Sequence, residues 1–283
     1  MLWTSPHGRP LPDWRERTLL MGILNVTPDS FSDGGVWSEP EAAAERAAEL
    51  HAAGADVIDI GAESTRPGAN PVEEAEELRR LLPAIRAVRA RLPQVPISAD
   101  TYRPKVAEAA IAAGADMLND VWGGVAVAQR PSLAAVAAAC RCPWILMHNR
   151  ERSVYADFWP ELLADLRSAI ARAEAAGVAR SQLWIDPGFG FGKDAELNLE
   201  VLGRLSRVTS LGLPVLLGTS RKSTLGRVLG EPDPMRRGAG DAATATWGIA
   251  QGAAMLRVHD IAALRPVAKM ADALRAGRQW RAG

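Results

Sequence analysis

Eight short apolar segments, each followed by a polar residue or a polar loop, restrict the fold of this chain more than any other feature. The segments are continuous rather than alternating, which is typical of parallel strands that are buried on both faces. They occupy residues 19–24, 57–60, 95–99, 117–118, 144–147, 183–185, 215–217 and 254–258. Their recurrence predicts one repeating strand–helix architecture along most of the chain.

Alanine-rich stretches that suit helices separate these segments, at residues 41–53, 72–92, 104–113, 131–139, 158–176, 195–211, 239–250 and 262–276. The sequence Ala-Ala-Gly-Ala-Asp ends two of them, at residues 52–56 and 112–116. The glycine is a natural helix C-cap, and the spacing of about 60 residues corresponds to two strand–helix units. Eight such units predict an α/β protein, a (β/α)8 TIM barrel at residues 18–283, after a proline-rich lead-in at residues 1–17. An open doubly wound sheet fits the pattern too, but the count of eight favours the barrel.

The balance of charges argues against nucleic acid or a membrane surface as a partner. The chain has 33 Lys and Arg against 33 Asp and Glu, so an anionic substrate needs a local cluster of cations. No apolar run reaches the roughly 18 residues of a membrane helix, and the first residues show no secretory signal pattern. We therefore expect a cytoplasmic protein whose two cysteines are reduced.

The residues that end the apolar segments are candidates for the functional site, because the carboxyl ends of the strands form the active-site mouth of a TIM barrel. They are Asn25, Asp100, Asn119, His148, Asp186, Ser220 and His259. Short acids on strands suit a flat heterocycle with a guanidine-like edge, because one carboxylate can accept two parallel N–H bonds. A general acid/base pair is equally compatible with the spacing, and the role of His148 stays open.

Three loops add further candidates. After the first segment, residues 25–35 could form a solvated turn, but Phe31 in the middle and the oxygen ligands suited to Mg²⁺ argue against that interpretation. In the second loop, Arg66 offers a planar fork for phosphate or carboxylate. After the seventh segment, residues 218–223 combine hydroxyls and two cations in a potential anion site. That loop lacks the Walker spacing of glycines, lysine and hydroxyl.

Two strand ends complete the inventory. Arg257 and His259 lie two residues apart, so both project to one side of the eighth strand, where together they suit a phosphate chain. At the end of the sixth strand, Asp186 is followed by three alternating glycines, Phe189 and Phe191. Those glycines permit a sharp turn and a close approach to a ligand, so this stretch predicts a carboxylate at the rim of a pocket.

Five motifs in this order resemble those of the dihydropteroate synthase family. They occupy residues 22–35, 59–68, 186–193, 220–223 and 257–260. The resemblance implies a transferase that joins 6-hydroxymethyl-7,8-dihydropterin diphosphate to 4-aminobenzoate and releases pyrophosphate, in folate biosynthesis. It also implies Mg²⁺, a homodimer and competition by sulfonamides for the aminobenzoate pocket.

The same resemblance assigns roles to individual residues. The pterin would be held by Asp100, Asn119, Asp186 and Lys222, with Met147 and Phe191 as apolar walls. The diphosphate would be bound by Asn25, Arg66, Arg257 and His259, and the metal by Asn25 and Asp33. The aminobenzoate pocket would comprise Phe31, Thr65, Pro67, Phe189 and Ser223. The catalytic residues would be Asp33, Arg66, Lys222, Arg257 and His259.

Two other functions share parts of this pattern. A methyltetrahydrofolate–corrinoid methyltransferase domain would share the pterin residues but should lack the first two loops, which are present here. A non-catalytic pterin-binding paralogue would be expected to lose loop or diphosphate residues, and all of these are present. Both observations favour the synthase.

Overall fold

A closed ring of eight parallel strands forms the centre of the molecule. The computed structural model describes residues 3–26, 39–63, 72–123 and 132–279. The strands are β1 (Leu19–Asn25), β2 (Val57–Gly61), β3 (Ile97–Asp100), β4 (Met117–Asp120), β5 (Trp144–Met147), β6 (Leu183–Asp186), β7 (Leu216–Leu217) and β8 (Met255–Val258). Their order is β6-β5-β4-β3-β2-β1-β8-β7, and a parallel bridge between Ile185 and Val215 closes the ring. The predicted (β/α)8 barrel is therefore confirmed, and the open sheet is excluded.

Helices alternate with the strands on the outside of the ring. They are α1 (Glu39–Ala52), α2 (Glu74–Arg91), α3 (Pro104–Ala113), α4 (Ala134–Cys140), α5 (Phe158–Ala175), α6 (Ala195–Gly203), α7 (Ser206–Thr209), α8 (Ser223–Leu229), α9 (Gly238–Ala250) and α10 (Ile261–Ala276). None of the helices within the described ranges is long and apolar enough to cross a bilayer.

The helices differ from the sequence prediction in two places. The single helix expected at residues 195–211 is divided into α6 and α7, and the first part ends at Gly203, a poor helix former. An additional helix, α8, follows the polar loop after β7 and ends at Gly230, which has a φ of 64°. This extra helix begins at Ser223, so it places the predicted aminobenzoate residue at a helix start.

The interior of the barrel is apolar at its lower end. Alternate residues of the strands point inward, because successive side chains of a strand lie on opposite faces. The lower layer is fully buried and comprises Leu19, Met21, Val57, Met117, Ile145, Trp184, Leu216 and Met255. Trp3 from the N-terminal segment packs on Trp184 with ring centroids 4.7 Å apart, and Trp14 packs on it from 6.0 Å. Since the N-terminal segment covers this end, a ligand has to enter at the carboxyl ends of the strands.

Candidate active site

A ring of polar side chains replaces the apolar layer at the upper end of the barrel. We call it the polar ring, and its members are Asp59, Asp100, Asn119, Asp186 and Arg257. The four acid and amide side chains are buried, and the arginine is partly exposed. Asp59, Asn119, Asp186 and Arg257 each lie two positions after a residue of the lower apolar layer, and Asp100 lies two positions after Ser98. The period of the strands therefore points all five into the barrel above that layer.

Arg257 connects two carboxylates of the polar ring. Its Nε donates to Asp59 Oδ2 at 2.6 Å, and its Nη2 donates to Asp100 Oδ2 at 2.7 Å. The side-chain amide of Asn119 donates to the same Oδ2 of Asp59 at 3.1 Å. Asp59 therefore orients both the arginine and the amide.

Asp59 is the functional residue that sequence reasoning missed. It lies inside an apolar run rather than at its end, so an inventory of strand ends passes over it. The sequence does carry a signal, which is a single acid inside a continuous apolar run, and the structure shows that this strand is buried along its whole length. A buried carboxylate in such a strand needs a partner, and that partner comes from β8.

The carboxylates of the polar ring keep hydrogen-bonding capacity for a ligand. Asp59 Oδ1 and Asp100 Oδ1 are buried and accept no hydrogen bond from any described residue. Burial raises the pKa of Asp100 to about 7, although the neighbouring Arg257 acts in the opposite direction. Burial also raises the pKa of Asp186, whose Oδ1 accepts the backbone N–H of Gly188 at 2.7 Å. A ligand with N–H donors would satisfy such acceptors, which are costly to leave unpaired.

Lys222 lies beside the polar ring, in contact with the loop after β6. Its Nζ donates to the carbonyl oxygen of Phe189 and lies 4.5 Å from the centroid of the Phe191 ring. Burial lowers the pKa of Lys222 to about 8, while Asp186 raises it. The ammonium and the Phe191 ring thus form one side wall, and Met147 and Ile23 supply buried apolar surface at the ends of β5 and β1.

His259 is oriented by a short chain of hydrogen bonds. Its Nδ1 lies 3.1 Å from Ser220 Oγ, and the Ser220 hydroxyl donates to Asp241 Oδ2 at 3.1 Å. The backbone N–H of Arg221 holds the other oxygen of Asp241 at 2.8 Å. Since the hydroxyl proton points to the carboxylate, the serine oxygen accepts from Nδ1–H, which fixes the tautomer of the imidazole.

The described predicted residues converge on this end of the barrel. Asn25 ends β1 and is half-buried, and Ser223 is exposed at the start of α8. Phe189 has no exposed surface in this conformation, so its ring meets an aminobenzoate only if the turn moves. Phe31, Asp33, Thr65, Arg66 and Pro67 lie outside the described residues, and their roles stay predictions.

A divalent metal is compatible with the ligands at this mouth. Within the described ranges, no group of three His, Cys, Asp or Glu side chains could hold a metal ion. Mg²⁺ near a diphosphate takes most of its ligands from phosphate and water, and only one or two from protein. The half-buried amide of Asn25 at the end of β1 fits that limited requirement.

The fold and the polar ring define a class: a barrel enzyme that holds a planar, N–H-rich heterocycle within reach of two cations. A family model described as pterin binding enzyme matches residues 21–259. The dihydropteroate synthase of Bacillus subtilis is 47% identical over 269 residues, which cover 95% of this chain and 93% of the relative. The chain therefore belongs to the dihydropteroate synthase family of pterin-binding enzymes, as the sequence motifs predicted.

Solved structures agree with this placement. Xanthomonas albilineans dihydropteroate synthase with 4-aminobenzoic acid superposes with a TM-score of 0.89 at 43% identity, covering 96% of this chain and 99% of that one. The same enzyme in complex with 7,8-dihydropteroate gives a TM-score of 0.86 at 40% identity, covering 95% and 97%.

Proposed function

We propose that the protein condenses 6-hydroxymethyl-7,8-dihydropterin diphosphate with 4-aminobenzoate to 7,8-dihydropteroate and releases pyrophosphate. The observation that carries this proposal is the polar ring, in which two buried carboxylate oxygens accept no hydrogen bond from the described residues and stand beside Asn119 and Lys222. A pterin presents a row of N–H donors and ring acceptors, so a carboxylate can take two parallel hydrogen bonds from it. Asp186, at the end of β6, supplies a further acceptor on the same level.

The reaction breaks the bond between the pterin methylene and the diphosphate oxygen, whose electron pair leaves with pyrophosphate. The amine nitrogen of 4-aminobenzoate forms the new bond to the methylene carbon and then loses a proton. Arg257 and His259 would stabilise the charge that develops on the leaving group. Arg257 uses two of its five N–H donors on Asp59 and Asp100, so three remain for phosphate oxygens. The aniline is already nucleophilic, so no strong base is required.

Mg²⁺ and the aminobenzoate pocket complete the proposal. Asn25 and Asp33 would hold Mg²⁺, which neutralises diphosphate charge when bound. Phe31, Thr65, Pro67, Phe189 and Ser223 would surround the aminobenzoate, where a sulfonamide would compete. Ser223 supports this placement by its position at the start of α8, directly after Lys222. Cytoplasmic localisation stays a prediction from the sequence.

One assay tests the function. Pyrophosphate release is followed with the pterin diphosphate alone, with 4-aminobenzoate alone and with both, in buffer containing Mg²⁺. Release that requires both substrates is the expected result. Release without the amine, or none at all, would contradict the synthase, and methyl transfer from methyltetrahydrofolate to a corrinoid protein would support the methyltransferase instead.

Lys222→Ala is expected to weaken pterin binding. Loss of a charged donor beside the polar ring should lower affinity about tenfold to hundredfold, the range for one charge-assisted hydrogen bond. Calorimetric titration with 6-hydroxymethylpterin measures the change, and Lys105→Ala, at a side chain 80% exposed on α3, is the control.

Asp33→Ala should instead slow turnover and spare pterin binding. Equal loss of pterin affinity in the two site variants would refute these roles.

We further propose that two copies associate through α6, α8 and α9, which pack against one another. Five large apolar side chains on or beside these helices are 45–68% exposed: Leu199, Val228, Leu229, Met235 and Trp247. Such clusters are uncommon on monomers, and a symmetric dimer would cover this one.

Trp247→Glu with Val228→Glu should yield a monomer in sedimentation velocity, whereas Val154→Glu, in the loop after β5, should remain dimeric. A monomeric wild type, or a dimeric double variant, would exclude this interface.

A further inference from the structure

Lys193 is a buried lysine that forms no ion pair with any carboxylate of the described ranges. Only 9% of its surface is exposed, and burial lowers its pKa to about 7. Its Nζ contacts three acceptors: the carbonyl oxygens of Gly188 at 3.1 Å and Phe191 at 3.0 Å, and Nδ1 of His148 at 3.0 Å. Burying an ammonium is costly, and Asp186 and Asp165 act on this one only from beyond ion-pair distance, so its three directed hydrogen bonds require a reason.

The contact with His148 has a defined direction. In the neutral imidazole Nδ1 accepts from Lys193 Nζ, because Nε2 faces the Asp165 carboxylate, which can only accept. The other ring nitrogen, Nε2, then donates to Asp165 Oδ2 at 3.1 Å, and Arg150 holds the same oxygen through Nε at 3.1 Å and Nη2 at 2.8 Å. Burial lowers the pKa of His148 to about 4, which keeps the imidazole neutral as this arrangement demands.

The turn that receives the lysine is rich in glycine and has one internal backbone hydrogen bond, from the Phe191 N–H to the Gly188 carbonyl at 3.0 Å. Gly188, Gly190 and Gly192 all have positive φ, at 68°, 83° and 55°. A backbone with three such glycines loses much conformational entropy when it is fixed. The loop after β5 restrains its far end, because the Tyr155 hydroxyl donates to the carbonyl of Gly192 at 2.8 Å. Lys193 restrains the middle of the turn through two of its carbonyls.

The same turn holds Lys222, the cation beside the polar ring. The carbonyl of Phe189 accepts from Lys222 Nζ, and the Phe191 ring lies 4.5 Å from that nitrogen. Phe189 lies between the two residues whose carbonyls Lys193 binds, and Phe191 is one of those two residues. A shift of the turn would therefore displace the acceptor and the aromatic face that place Lys222.

We propose that Lys193 is a positioning residue for the pterin site. Its ammonium, supported by His148 and Asp165, fixes the Gly188–Phe191 turn so that the turn holds Lys222 at the edge of the polar ring. Lys193 itself lies behind the turn and does not touch the pterin. This inference rests on the proposed function, because it concerns how the pterin pocket is kept in shape.

Lys193→Met tests the inference, because methionine has similar length and no donor. Titration with 6-hydroxymethylpterin should show affinity about tenfold weaker, because displacement of Lys222 would weaken one charge-assisted hydrogen bond to the pterin. Lys269→Met, at an exposed position of α10, is the matched control and should bind as the wild type does. Thermal unfolding of both variants is measured alongside.

A double-mutant cycle separates positioning from plain stabilisation. If Lys193 acts through Lys222, then Lys193→Met should change the affinity little in a protein that already carries Lys222→Ala, since coupled sites are not additive. Additive losses, or lowered thermal stability with unchanged pterin affinity, would overturn the inference. Should Lys193→Met fail to fold, Lys193→Gln, which keeps an uncharged donor, takes its place in the same cycle.

The outcomes also distinguish this inference from the proposed function. A wild type that binds no pterin would refute the function itself. If the wild type binds pterin and the Lys193→Met variant binds it with equal affinity, only the positioning role is refuted.

Discussion

Arg257→Ala should abolish measurable turnover and destabilise the barrel at the same time. The guanidinium is the only described partner that bridges Asp59 and Asp100, and its loss leaves two buried carboxylates facing each other. Removing one partner of a buried ion pair costs about 3 kcal/mol or more of unfolding free energy. The diphosphate would lose a donor in the same step, so both folding and chemistry should suffer.

The destabilisation should depend on pH in a defined direction. Burial raises the pKa of Asp100 to about 7 from its ordinary value near 3.8, so the folded state binds a proton that the unfolded chain has released. Stability from this group is therefore greatest at low pH and falls as the pH rises from about 4 to 7. Arginine lowers the pKa of Asp100, so its removal raises that pKa further and extends the loss to higher pH. The stability deficit of Arg257→Ala should be larger at about pH 8 than at about pH 6 in urea unfolding.

Two further variants separate stability from catalysis. Arg89→Ala removes a half-buried arginine from the buried Asp116 at the lower end of the barrel, where Nη2 and Oδ2 are 2.6 Å apart. It should lower stability and leave kcat and KM unchanged. Asp59→Asn added to Arg257→Ala removes one unpaired acid, so it should restore part of the stability and none of the turnover. An Arg257→Ala protein that is as stable as the wild type at pH 8 would contradict the bridging role.

The barrel was predictable because its determinants are local. Continuous apolar segments identify strands that are buried on both faces, and the helix-capping glycines of the repeated Ala-Ala-Gly-Ala-Asp sequence mark where each unit ends. The division between α6 and α7 and the additional helix α8 were missed. Both depend on short segments, in which packing against neighbouring helices outweighs helix propensity.

The sequence predicted which strand ends form the site, but it did not predict the hydrogen bonds that connect their side chains. The carboxyl ends of parallel strands meet at one rim, so Asp100, Asn119 and Asp186 had to converge once the barrel was assumed. The pairing of Arg257 with Asp59 joins residues 198 positions apart, and no spacing in the sequence encodes it. The same holds for His148, whose partners Asp165 and Lys193 lie on α5 and the loop after β6. The supporting role that we propose for His148 rests on those contacts.

Gly188→Ala should disrupt the turn after β6 more severely than its small change in volume suggests. Gly188 has a φ of 68°, and a Cβ built there would collide with the carbonyl oxygen of His148. The left-handed backbone conformation alone costs a residue with a side chain about 1–2 kcal/mol of unfolding free energy. The collision adds to this, because the oxygen belongs to a buried backbone and cannot rotate away. The turn must therefore leave its place against the loop after β5.

Gly8→Ala separates the two causes. Gly8 has nearly the same φ, 71°, and a Cβ there meets nothing within 4 Å. Its substitution should cost only the strain of the positive φ and leave pterin affinity unchanged, since Gly8 is exposed and belongs to the segment that covers the far end of the barrel. Gly188→Ala should bind 6-hydroxymethylpterin about a hundredfold more weakly, because the displaced turn no longer holds Lys222 and its charge-assisted hydrogen bond is lost. Equal effects of the two substitutions on affinity and unfolding would mean that the close approach to His148 has no role in the site. A selective loss at Gly188 would show that the pterin pocket depends on how tightly these two loops pack.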